Sequence, residues 1–152
     1  DEWWEAWANL PLLPMVQHVI PDATYELAND LNVEAMAMYN ELLHMIEPLE
    51  HVIDVARRNH GLYPMAVVTG GYRDVVVPSL DAAGITHLFD YIVTADEVTH
   101  SKPAPDLYSL AMRKLGVEPE ACLVYEDSEI GMTSARGAGA GKIVDIRNWP
   151  EA

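Results

Sequence analysis

Three short segments of this 152-residue chain carry side chains suited to holding a phosphoryl group. The first is Thr69-Gly70-Gly71, a hydroxyl followed by two residues whose backbone N–H groups can come close to an anion. Alone it is equally an ordinary strand-to-helix turn. The second is Ser101-Lys102-Pro103-Ala104-Pro105-Asp106. Its prolines hold the chain extended and then permit helix entry, which fixes where Lys102 points. An ammonium so placed can neutralise a phosphate or an acyl phosphate. Only two other lysines exist, Lys114 and Lys142, which favours a functional Lys102 over a solvated loop lysine. The third is Tyr125-Glu126-Asp127-Ser128, continuing Glu129-Ile130-Gly131. Adjacent carboxylates repel each other unless a cation or base is near. Mg²⁺ takes one or two protein carboxylates and completes its shell with water and substrate oxygens. Acids in a first helical turn are the plainer alternative, and both can hold together.

The surrounding elements place all three segments at strand ends. Short apolar runs occur at Met65-Ala66-Val67-Val68-Thr69, Tyr91-Ile92-Val93-Thr94, Ala121-Cys122-Leu123-Val124-Tyr125 and Ile143-Val144-Asp145-Ile146. Strands apolar on both faces belong to parallel sheets covered by helices. A helix is predicted over 106–115, with Leu107, Leu110, Ala111 and Leu115 on one face and Gly116 as its stop. Another is predicted over 72–83, where Pro78 should kink it or mark a late start. Alternating strand and helix implies a doubly wound α/β domain with its active groups at the carboxyl ends of the strands.

Residues 1–60 read helical instead. Val33 to Ile46 is rich in helix formers and apolar on two faces (Val33, Met36, Ala37 and Leu43; Met38, Leu42 and Met45), as expected of a helix packed between layers. Trp3, Trp4 and Trp7 are expected to anchor a helix to a core.

The formal charge is −15, a surface that repels phosphate backbones and argues against a nucleic-acid partner. The same acidity is expected to keep a cytoplasmic protein soluble. No apolar run nears the roughly 18 residues that span a bilayer, and the acidic, aromatic start does not read as a secretory signal. Cys122 has no second cysteine to pair with and is expected to be buried and inert. The six histidines show no zinc-ligand spacing. Arg136-Gly137-Ala138-Gly139-Ala140-Gly141-Lys142 lacks the spacing and the Ser or Thr of a P-loop, and a helix ending in glycines explains it better.

In this order the three segments resemble the second, third and fourth motifs of the haloacid dehalogenase superfamily of hydrolases. Leu80-Asp81-Ala82-Ala83-Gly84-Ile85 and Phe89-Asp90-Tyr91-Ile92-Val93 are similar to its beta-phosphoglucomutase and sugar-phosphatase branch. The resemblance covers about residues 46–146. It implies a Rossmann-like α/β core with parallel strands over 47–152 and a helical cap over 1–46. It also implies Mg²⁺-dependent action on a small phosphorylated metabolite, as a phosphatase or, within the same branch, a phosphomutase. Thr69 and Gly70 would then hold the phosphoryl group, Lys102 would steady the nucleophile and phosphoryl oxygens, and Asp127, with Glu126 beside it, would bind Mg²⁺.

The family's first motif, Asp-x-Asp-Gly-Thr, which supplies the attacking carboxylate, has no counterpart in these 152 residues. The segment 3–10 resembles the cap helix that follows that motif. The nearest internal match, Ile20-Pro21-Asp22-Ala23-Thr24 after the apolar 15–19, has Ile where the nucleophile belongs. In the family this strand lies mid-sheet, between those ending at Thr69 and Tyr125. Without it each unpaired backbone group would cost on the order of 1–3 kcal/mol. The expectation is therefore a fragment of a longer protein, inactive by itself, or a slot filled by 15–20 or by a second copy exchanging a strand. The competing expectation is an inactive binding protein whose strands at Thr69 and Tyr125 pair directly.

Overall fold

The computed structural model describes residues 12–149, which leaves Trp3, Trp4 and Trp7 outside the described residues. The chain divides into two compact units, residues 1–43 and 44–152.

In the first unit, α1 (Leu12–Val19) and α2 (Tyr25–Leu42) form a helical hairpin. Residues 15–19 are thus helix, not strand. The Ile20–Thr24 stretch is the turn between the helices, not a degenerate catalytic motif. The Ala23 N–H donates to Ile20 O at 2.9 Å, and the Thr24 hydroxyl caps α2 by accepting from the Leu27 N–H at 3.2 Å. The capped start at Tyr25 puts the helix-former-rich stretch from Val33 in the middle of a longer helix. At its other end α2 gives way to one 3₁₀ turn, Leu43–Met45, before Ile46. Ala23 and Ala28 are buried between the helices, whereas Val33 (67% exposed) and Met38 (64%) face outward, contrary to the expected packing between layers.

In the second unit, α3 (Glu50–Asn59) precedes β1 (Ala66–Val68), α4 (Arg73–Ala82), β2 (Tyr91–Val93) and α5 (Asp106–Leu115). Then come β3 (Leu123–Glu126), α6 (Glu129–Gly137) and β4 (Lys142–Asp145). The order is the alternating one that the apolar runs predict, and every strand pair is parallel. β1 pairs with β2 in the register Ala66↔Tyr91 to Val68↔Val93, and β3 with β4 from Leu123↔Lys142 to Glu126↔Asp145. Among the described residues β1 and β3 are not hydrogen-bonded neighbours. The direct pairing expected of a closed, inactive sheet is absent there.

Helix α5 joins the two strand pairs. Leu107 and Ala111 pack with Val93 against β1 and β2, while Tyr108 and Met112 pack with Val124 and Ala135 against β3 and α6. Being covered on two sides, α5 buries Tyr108 and Met112 more deeply than the expected Leu110 and Leu115. Gly116 ends the helix in the left-handed region, with φ 68°. Helix α4 starts at Arg73 and runs through Pro78, so the proline does not delay its start. The Gly-rich run closes α6 at Gly137 and opens β4 at Lys142. Cys122 is only half-buried, because it precedes β3, and its thiol donates to Glu118 O at 3.4 Å. Burial, and then the charge of Glu120, pushes that thiol up from its ordinary pKa. No helix among the described residues is long and apolar enough to cross a membrane.

Candidate phosphate and metal site

The strand ends meet at Lys102. Its ammonium donates to the Val68 carbonyl at the end of β1 (3.2 Å) and pairs with Glu126 Oε1 at the end of β3. One side chain therefore ties together two strands that do not pair with each other. The loop carrying it is anchored from both sides. Ala104 N–H donates to Ser101 O at 3.0 Å, and the buried Ser134 hydroxyl of α6 donates to Ala104 O at 2.5 Å. Beside it, a Cβ on Gly70 would lie 3.3 Å from Ser101 Oγ, so the Thr69-Gly70 turn and the lysine loop are in contact. Thr69 extends the β1–β2 ladder through its N–H to Val93 O (3.0 Å), and its Oγ1 accepts from Gly71 N–H at 3.0 Å. These bonds fix the turn that leads into α4.

Glu126 is surrounded by donors. Oε1 accepts from Lys102 and from the Tyr108 hydroxyl at 3.2 Å. Oε2 accepts from the Asp127 N–H (2.8 Å), the Ser128 N–H (3.1 Å) and the Ser128 hydroxyl (3.1 Å). The Ser128 hydroxyl in turn caps α6 by accepting from Gly131 N–H at 3.1 Å. The Glu126 side chain is 4% exposed and that of Lys102 13%, so this is a buried pair.

Burial alone would raise the Glu126 carboxyl, but the hydrogen bond and charge of Lys102, with the Asp127 and Ser128 bonds, outweigh it and hold the group well below the usual range. Asp127 shifts the other way. Burial raises it, and the hydrogen bond and charge of Glu126 raise it further. Tyr108 is also raised, first by burial and then by the Glu126 charge, so its hydroxyl stays a donor.

Thr69, Gly70, Lys102, Glu126 and Asp127 thus stand at the carboxyl ends of β1 and β3 or in the loop between β2 and α5. Lys102 and Glu126 meet directly, and Gly70 contacts the lysine loop. Glu126 and Asp127 differ in surroundings, since Glu126 accepts from Lys102, Tyr108, Asp127 and Ser128 while Asp127 is exposed. Among the described residues no three His, Cys, Asp or Glu side chains gather as a metal cage. Sequence reasoning missed Tyr108 and Ser134. Neither carries a local signal, since each bonds to an element far away along the chain. Gly131 faces the Glu126 carboxylate. A Cβ there would overlap the Glu126 carboxylate. Gly131→Ala is expected to displace that carboxylate and to cost about 2–3 kcal/mol, the scale of overpacking a filled site. A urea midpoint unchanged from wild type would contradict this.

The two parallel strand pairs, flanked by helices and bridged by a lysine at their carboxyl ends, form a Rossmann-like α/β fold. Comparison with known proteins gives it a family. The haloacid dehalogenase-like hydrolase profile matches residues 4–144, and the chain belongs to that family. Fructose-1-phosphate phosphatase YqaB of Escherichia coli is 42% identical over 111 residues, covering 73% of this chain and 58% of that protein. Validoxylamine A 7'-phosphate phosphatase of Streptomyces hygroscopicus is 36% identical over 99 residues, covering 65% of this chain and 41% of that protein. The chain spans about half the length of the curated relatives it matches. Among solved structures, CbbY from Rhodobacter sphaeroides in complex with phosphate superposes with a TM-score of 0.74 at 25% identity, covering 95% of this chain and 69% of that one.

Proposed function

We propose that this chain is the phosphate- and Mg²⁺-holding part of a phosphatase for a small phosphorylated metabolite of the sugar-phosphate type. The observation that carries the reading is the Lys102 ammonium, held between Val68 O and Glu126 at the carboxyl ends of the two strand pairs. The relatives support the substrate class. One is a fructose-1-phosphate phosphatase, and a CbbY mutant has been seen with xylulose-(1,5)bisphosphate.

In this reading Thr69 and Gly70 receive the phosphoryl oxygens, and Lys102 offsets their charge with the donor it does not give to Val68 or Glu126. Asp127 holds the metal. Its proton affinity is raised first by burial of the carboxyl and then by the hydrogen bond and charge of Glu126, and a divalent cation would relieve that last contribution. One carboxylate with water and phosphate oxygens is a sufficient donor set for Mg²⁺. Mg²⁺ supplies Lewis-acid neutralisation of the phosphoryl oxygens. Glu126 serves by holding Lys102, since its lone pairs are already engaged. The family's attacking aspartate stands in an Asp-x-Asp motif, and no such sequence occurs among these residues. Residues 1–46 correspond in this reading to the family's cap segment and residues 47–152 to its core.

The metal assignment is tested by calorimetric titration of Mg²⁺ in the presence of inorganic phosphate. Weak, saturable binding is expected, and Asp127→Asn should abolish it. Binding unchanged in the variant, or no binding to wild type, would remove Asp127 from the metal site.

A further inference from the structure

We propose that Tyr108 is a positioning residue for Lys102, holding the ammonium in line with the carboxyl ends of β1 and β3 through the Glu126 oxygen that both side chains share. The inference rests on the phosphate-site reading above but adds a residue outside the three motif segments. Two contacts carry it. The Tyr108 hydroxyl donates to Glu126 Oε1 at 3.2 Å, the same atom that Lys102 contacts. The Lys102 ammonium also sits 5.2 Å from the centroid of the Tyr108 ring. The phenol therefore restrains both members of the ion pair from one side, and the Val68 carbonyl restrains Lys102 from another.

An ammonium has three N–H donors, and two are given to Val68 O and Glu126. Whatever fixes those two fixes the direction of the third, the one free to meet an anion. By taking part of the Oε1 acceptor capacity, Tyr108 also keeps Glu126 from drawing the ammonium wholly onto itself. Tyr108 is buried on α5, the helix that touches both strand pairs, so the restraint is built into the core.

The chain has only three lysines, which makes the test direct. Competitive acetylation with acetic anhydride, read by mass spectrometry, reports Lys102 with Lys114 and Lys142 as internal references. Tyr108→Phe keeps the ring and removes the donor. Lys102 is expected to acetylate roughly fivefold faster, with the other two unchanged, equivalent to about 1 kcal/mol of lost restraint at 1.4 kcal/mol per tenfold. Met112→Leu, altering the same core cluster without touching the ion pair, should leave Lys102 at the wild-type rate. In parallel, inorganic phosphate with Mg²⁺ should bind several-fold more weakly to Tyr108→Phe. An unchanged Lys102 rate in Tyr108→Phe overturns the proposal, as does a rise shared equally by all three lysines or matched by Met112→Leu. If wild type binds no phosphate, the phosphate-site reading fails, while the acetylation comparison still decides the role of Tyr108.

Discussion

Phosphate release by the 152-residue chain, from sugar phosphates or an aryl phosphate with Mg²⁺ present, is expected to stay at least roughly a thousandfold below the ~1–100 s⁻¹ of phosphoryl-transfer enzymes. The reason is chemical. Thr69, Lys102 and Asp127 position and neutralise, but the aspartate that attacks phosphorus in this family stands in an Asp-x-Asp motif, and the chain contains none. Positioning and charge stabilisation without the nucleophile still leave a residual rate over water, so the expected value is small and not zero. The exposed Asp127 directly follows Glu126, but it is assigned to the metal. Turnover within the ordinary range, surviving repurification, would mean that one of these 152 residues attacks phosphorus, and the roles given to Thr69, Lys102 and Asp127 would fall.

Lys102→Met is expected to destabilise the chain by about 3–5 kcal/mol at neutral pH, because it strands the Glu126 carboxylate in a site where only 4% of its side chain is exposed. That is a large share of a domain stability of roughly 5–15 kcal/mol. The remaining donors, Tyr108, Asp127 and Ser128, keep the oxygens hydrogen-bonded but bring no cation. The pH dependence has a definite sign. In wild type the Glu126 carboxyl is depressed on folding, so it contributes stability above its unfolded value of about 4.5 that is lost as pH falls through the lower folded value. Without Lys102, burial dominates, the carboxyl rises, and its protonation on acidification becomes stabilising. The deficit of Lys102→Met should therefore be largest at neutral pH and shrink below about pH 4. Urea midpoints across that range read it. Adding Glu126→Gln should recover part of the loss, since the pair is coupled. A deficit under about 0.5 kcal/mol that is flat with pH would show that the pair is not the linchpin described.

Much of this was legible in the residues, for reasons that particular positions make clear. The prolines at 103 and 105 narrow the backbone choices enough that Lys102 could be placed before any coordinates. Gly116 is a stop signal whose left-handed conformation follows from its lacking a Cβ. Glu126 was harder. Two adjacent acids look like a matched metal pair in sequence, but alternation along β3 turns Val124 and Glu126 inward and leaves Leu123 outward, 49% exposed. Register along the strand, not residue type, separates the buried Glu126 from the exposed Asp127 that follows it. The Tyr108 contact was invisible for a related reason. Its partner lies 18 positions away on another element, and nothing in an apolar helical face says which side chain will carry a hydrogen bond. The start of α2 was readable but not singled out. Thr24, with Glu26 in the first turn, is an N-terminal signal that the apolar pattern around Val33 obscured.

The most direct test of the site is amide NMR of the ¹⁵N-labelled chain during titration with inorganic phosphate at fixed Mg²⁺. The account predicts that the amides of Thr69, Gly70, Gly71, Lys102 and Asp127 shift together along one saturation curve, and that Lys102→Met abolishes it. Shifts confined to other cationic positions such as Lys142, or an absence of saturable change at Gly70 and Gly71, would contradict a single phosphate site at these strand ends.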